Sequence, residues 1–314
     1  MSILNTPDPL ANLPRAERPS YATGMLLDAQ DFSDEQTYHR GRLARALAHL
    51  AGGGTLAGLA VEHLAPSASQ AEEIRVLPGL AVDRLGRLVE LPRPACRGLA
   101  DWFADVAARD GGDTLRTSAY DNLNRFVSPR WRDSGAALPA RAVVADVFLR
   151  FVQCAAGLSP SFAAGPFDAL NAVSPSRIRD AYELQLVARS GLSDVYRGLP
   201  VAAGSALLGD PIATASQRRD AAQDAVLGSY LAGALSGVGG VGGVGGVDGI
   251  GSFSLPPAPE HPPGMDTTAV FIARVLMPVG AGNPPTRIAQ APLVDNHARR
   301  FLPSISLLAQ WAGL

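Results

Sequence analysis

Residues Val76–Leu91 read VLPGLAVDRLGRLVEL, and this stretch decides the fold class. Short apolar runs, Gly79–Val82 and Arg87–Leu91, flank Asp83-Arg84-Leu85-Gly86, which predicts two strands joined by a turn with Gly86 near its apex. Pro78 cannot donate to a ladder, so it marks an edge or a bulge. Moving upstream, Ile74–Leu77 and Leu56–Leu64 (LAGLAVEHL) are further strand-type runs. Beyond Gly52-Gly53-Gly54 the period changes from 2 to 3.6. Leu43, Leu47 and Leu50 recur at i, i+4 and i+7 beside a polar stripe of Arg42, Arg45 and His49, and Ser33-Asp34-Glu35-Gln36 has capping-box spacing. The pattern predicts a helix over 33–51, ended by the glycines.

Moving downstream, residues 97–109 (RGLADWFADVAAR) predict a short amphipathic helix with Leu99, Trp102, Phe103 and Val106 on one side. Residues 110–140 are rich in Asp, Arg, Ser and Gly and are expected to be a long, partly ordered connection. After Ala142 the run VVADVFLRFVQC fits a buried strand, Tyr182–Val187 its partner, and Ala269–Met277 a third strand, so one antiparallel sheet is the economical arrangement. Ser216–Leu235 suits a helix. The expected fold class is therefore α+β: an N-terminal arm over 1–24, a helix and β-hairpin domain over 25–110, a linker over 111–140, and a mostly antiparallel β-rich domain over 141–314. A Gly/Pro-rich loop, 236–264, is inserted in the last. Its GGV repeat, Ser236–Gly251, reads as a flexible tether on composition, with a packed glycine helix as the alternative.

Composition narrows the function classes. The chain has 314 residues, 47% of them hydrophobic, with 33 glycines and 25 prolines; its net charge is -2. All 27 basic residues are arginine. A coding bias explains this most simply, although arginine also has its own bidentate chemistry. There is no basic stripe to neutralise phosphates, so no nucleic-acid partner is expected. Cys96 and Cys154 lie in no CxxC or Cys/His pattern. The N-terminus is polar and proline-bearing, and no stretch approaches the length of a membrane span, so synthesis in the cytoplasm without membrane insertion is expected.

A search for reactive constellations yields no candidate catalytic, cofactor-binding or metal-ligating residues, and no cofactor is expected. His39, His49, His63, His261 and His297 are scattered. His39 and His49 share a helix but lie about 15 Å apart along its axis. Asp34/Glu35 suit a helix N-terminus, and Glu72/Glu73 a solvated loop. No GxSxG elbow occurs, and the glycine repeat lacks the strand and helix that a dinucleotide fingerprint needs. Asp295-Asn296-His297-Ala298-Arg299-Arg300 reads as a turn before a final apolar segment, Phe301–Leu314, rather than as a binding loop.

The run Tyr21–Phe32, then Glu35-Gln36, Tyr38–Arg42, Gly54–Leu59, Pro78–Asp83 and Gly86–Glu90, resembles proteins of phage-tail-like and contractile injection system clusters. Pro175–Asp180, Tyr182–Leu184 and Val294–Asn296 are similar to later landmarks of that family, whereas the GGV loop departs from it. The resemblance implies a non-enzymatic structural component near the baseplate or tail-fibre attachment. It would be assembled in the cytoplasm into a virion or extracellular injection particle, beside other tail or baseplate subunits. A homo-oligomer is expected, a trimer if fibre-like symmetry applies. The alternatives are a glycan-binding or glycan-degrading tail-associated protein and an assembly factor absent from the mature particle.

Overall fold

The computed structural model describes residues 8–12, 16–160, 173–190, 212–232, 255 and 257–313. The fold is α+β, a long N-terminal helix followed by antiparallel sheets. The helix α1 spans Ala29–Leu50. Its cap is Asp28, whose side chain accepts from the Gln30 and Asp31 amides while Asp31 reaches back to the Asp28 amide. This reciprocal box starts the helix earlier than the expected Ser33, because Asp28-x-x-Asp31 offers the same two bonds one turn upstream. Only Ala44 and Ala48 are buried on α1; Leu43 and Leu50, expected to face inward, are exposed.

The alanines matter because α1 lies directly on a hairpin turn. Strands β1 (Gly54–Gly58), β2 (Val61–Leu64), β3 (Glu73–Val76), β4 (Gly79–Val82) and β5 (Leu88–Leu91) follow. β4 and β5 pair from Gly79↔Leu91 to Val82↔Leu88, as Val76–Leu91 predicts. At the turn Gly86 has φ +82°, and a Cβ there would meet the Ala44 carbonyl oxygen at 1.8 Å. Glycine thus serves both the left-handed turn and the close helix approach.

Leu56–Leu64 is not one strand. The chain kinks at Gly58 and the fully buried Leu59, both left-handed, so β1 joins β4 and β5 in one three-stranded sheet. β2 and β3 join β6 (Ala95–Gly98) in a second. Helix α2 (Leu99–Arg109) follows and buries Leu99, Trp102 and Val106, as its amphipathic pattern predicts.

Residues 111–140 differ from the expected linker. They form α3 (Asp113–Thr117), β7 (Ala119–Tyr120), a 3-10 turn over Asn124–Phe126 and α4 (Pro129–Asp133). Leu115, Leu123, Phe126 and Val127 are buried. The long strand β8 (Ala142–Pro160) pairs on one side with β10 (Val270–Pro278) and on the other with β7 and β9 (Val173–Ala188). β11 (Leu293–Asp295) completes this antiparallel sheet beside β10. The alternation of β8 sorts its two faces. Val143, Ala145, Val147, Leu149 and Phe151 join the core built by the N-terminal strands and α2, while Ala142 and Val144 pack under Leu123, Phe126 and Val127. The main core therefore draws on residues from Leu59 to Val279, and no break in it coincides with 111–140.

Helix α5 (Ala215–Ala232) overlaps the expected 216–235; the rest of that segment and the GGV repeat lie outside the described residues. The chain reaches α6 (Ile305–Ala312) after Phe301 bridges Thr55 of β1. The described part of the 1–24 arm docks on its own chain. The Asp8 carboxylate accepts from Arg40 of α1 and from Arg87 of the hairpin, and Leu10 is buried.

Candidate functional site

The reactive side chains are dispersed over these elements. Among the described residues no three His, Cys, Asp or Glu side chains are grouped to hold a metal ion. Cys96 lies exposed on β6 and Cys154 on β8 opposite Arg179, and neither forms a disulfide. Partial burial and the Glu73 carboxylate push the Cys96 thiol up, which disfavours its thiolate at neutral pH. His39 sits near Glu35 on α1, and His49 occupies the last turn. His63 contacts Glu72 at 3.0 Å, and Arg287 donates to both oxygens of that carboxylate at 2.7 and 2.6 Å. Glu72 thus ties β2 to the 287 loop. Of the tryptophans, Trp102 is buried and donates to the Leu186 carbonyl, Trp131 is half-buried, and Trp311 stands exposed on α6.

Two buried polar clusters stand out, and both act as joints. In the first, Asp146 on β8 is fully buried between two arginines. Arg274 of β10 grips it with Nε and Nη2 at 2.6 and 2.9 Å, and Arg189, just after β9, adds Nη1 at 2.7 Å. Burial pushes this carboxyl up, but the two guanidiniums outweigh burial and hold it below the usual carboxylate range. Arg274 also donates to the Phe126 carbonyl at 3.2 Å, so the cluster fastens three strands to the 111–140 cover.

The second joint is Asp295–Arg300. The turn reading holds, and the structure adds a set of long-range bonds that the sequence pattern did not expose. Asp295, fully buried at the end of β11, accepts from the Ser128 amide at 2.6 Å, the Ser128 hydroxyl at 3.0 Å and the His297 amide at 2.9 Å. Asn296 both accepts from and donates to the Val61 backbone at 2.8 Å, standing in for a strand partner. Arg299 donates to the Leu59 and Asn296 carbonyls at 2.8 Å, and burial lowers its pKa to about 10. The Arg300 carbonyl accepts from the Thr55 amide. The six residues thus bolt the large sheet to both small ones. The legible signal was local: a run of side chains able to bond backbone, in a chain otherwise short of charge.

The best-formed cavities among the described residues are small or shallow. Arg84, Glu260, Arg300, Gly53, Gly54 and Phe271 enclose about 20 Å³, the space of a single water. A wider concavity of about 530 Å³ is lined, among the described residues, by Arg219, Ala222, Gln223, Val226 and Leu227, all from the one helix α5.

The outer surfaces are more distinctive. β10 stops pairing with β8 at Leu149, yet β8 and β9 continue together to Pro160↔Val173. The result is a two-stranded ribbon about 35 Å long beyond the sheet, with Leu158 and Ile178 exposed towards its end. β8 at 19 residues is well past the usual range of about 3–10. Among the described residues neither strand has a second partner over this length. Exposed apolar side chains also gather on α6, at Ile305, Leu307, Leu308 and Trp311. Such edges and faces can pair with other chains. Compared with models of known protein families and with curated proteins, the chain matches none.

Proposed function

We propose that this chain is a non-enzymatic structural component of a phage-tail-like or contractile injection particle, near the baseplate or tail-fibre attachment. The observation that carries the reading is the β8–β9 ribbon. A hairpin that leaves its sheet and, among the described residues, offers two unpaired edges is suited to add strands from, or lie along, a neighbouring subunit. Its prolines and charges, Pro160, Pro175, Arg177, Arg179 and Asp180, guard those edges against indiscriminate pairing, which suits contact with one particular neighbour. The motif run from Tyr21 to Glu90 supports the particular kind of assembly. Several of its residues have structural duties here: Asp28 caps α1, and Asp83, Gly86 and Arg87 build the turn on which α1 rests.

The test is imaging of particles from a strain lacking the gene, by negative-stain electron microscopy, with mass spectrometry of purified wild-type particles. The proposal expects baseplates or fibres to be missing or malformed and the chain to be present in the particles. Intact particles from the deletion strain would sink it. Malformed particles combined with absence of the chain from wild-type particles would identify an assembly factor instead.

A further inference from the structure

Among the described residues, helix α6 is the most conspicuous unpartnered element. From Ser304 to Gly313 it carries no charged residue. Its ends are made locally: the Ser304 hydroxyl accepts from the Leu307 amide, and Gly313 closes the helix with φ +78°. Eight residues are too few for a stable isolated helix in water, so α6 depends on being covered. Yet Ile305 is 86% exposed and Trp311 87%, with Leu307, Leu308 and the neighbouring Phe301 each between 41% and 55%.

We infer that α6 is the self-association element of this protein, covered by α6 of further copies of the same chain. Three observations select that occupant. Five large apolar side chains, Phe301, Ile305, Leu307, Leu308 and Trp311, are exposed within this one short segment, a concentration of apolar surface typical of protein interfaces. The patch is neutral, so copies meeting through it desolvate no charge and set no like charges together; α1 and α5, which also expose apolar side chains, would bring Arg42 and Arg45, or Arg219, into the contact. A lipid surface would call for basic residues beside the apolar face. The two nearest arginines are already engaged, Arg299 with the Leu59 carbonyl and Arg300 with Glu260. Because Phe301 bridges Thr55, the patch is anchored to β1 and the contact would be transmitted to the folded body.

The inference rests on the assembly reading above and names its partner, but its test can fail separately. Sedimentation of the purified full chain between ~1 and ~100 µM is expected to give a reversible, closed oligomer. Ile305→Asp and Trp311→Asp are each expected to weaken association at least about tenfold, with unchanged far-UV circular dichroism. Leu158→Asp, on the ribbon, is expected to leave association as it was. Should an aspartate disturb folding, the neutral Trp311→Gln gives the same reading through the same measurement. A monomeric wild type, an oligomer that survives both α6 substitutions, or one abolished by Leu158→Asp overturns the inference. So does a wild type that stays monomeric and floats with phosphatidylcholine–phosphatidylglycerol vesicles. A monomer that is nevertheless incorporated into particles overturns this inference and leaves the particle reading standing. An α6-dependent oligomer absent from particles does the reverse.

Discussion

Asp146 shows how much one residue can hold. Its carboxylate faces Arg274 and Arg189 where no water reaches, and removing one partner from a buried ion cluster leaves the others charged and poorly compensated. Asp146→Asn keeps the shape and removes the charge, so it should cost about 3–5 kcal/mol, read as a fall in the urea midpoint. A loss below about 1 kcal/mol would mean that Asp146 is not the counterion of Arg274. His261 makes the complementary case, a buried group kept neutral. Its Nδ1 accepts from the Ala258 amide at 3.0 Å, so Nε2 carries the proton that bonds the Ala269 carbonyl at 2.8 Å. Burial holds its pKa below the ordinary value, with Glu260, Arg84 and Arg300 as the charges around it. The folded state therefore binds fewer protons than the unfolded one once pH drops below the unfolded value of about 6.5. The contribution is fully present above that pH and is lost as pH falls towards the lowered folded value. Urea midpoints at about pH 7.5, 6.5 and 5.5 should fall for the wild type and fall less for His261→Gln. Equal slopes in the two proteins would reject the assignment.

At the scale of elements, what the sequence made legible was what periodicity and turn chemistry encode. The β4–β5 hairpin, α2 and the apolar strands β8 and β10 lie where their patterns put them. The start of α1 was misplaced because two capping boxes overlap, and local spacing cannot rank Asp28 against Ser33. Which one caps depends on where the preceding chain goes, and Asp8 is pinned to Arg40 and Arg87. Asp28→Ala should cost about 1 kcal/mol of stability, whereas Ser33→Ala, now inside the helix, should change it by only a few tenths. The reverse order in thermal melts would return the cap to Ser33. Leu56–Leu64 hid its break for a similar reason: Gly58 and Leu59 are left-handed because the chain must change sheets there, a tertiary demand with no period. The ribbon was equally hidden, since Val173–Ala188 carries arginines and an aspartate, and only its Tyr182–Val187 part has strand-like alternation. Its exposed half lacks the buried face that periodicity reports. The Asp295–Arg300 joint could be read as a turn but not as a bolt, because its partners Ser128, Val61 and Leu59 are remote in the chain.

For the molecule as a whole, the division expected at 111–140 meets a core that ignores it. Composition suggested a linker because Asp, Arg, Ser and Gly dominate there, yet a few well-placed apolar residues are enough to seal one face of a sheet. Ile74, Leu91 and Trp102 share a core with Val147, Ile272 and Met277, so the small sheets cannot bury their apolar face without β8 and β10. A hydrophobic core divided between fragments exposes its inner face in both. Two consequences separate a shared core from two independent domains. The full chain should unfold in one transition followed alike by far-UV and near-UV circular dichroism. A fragment of residues 1–140 should lack the near-UV signal of Trp102, whose indole donates to Leu186 and is packed by the missing sheet. Two resolved transitions, or a fragment with a native-like near-UV spectrum, would instead establish that the N-terminal portion closes its own core.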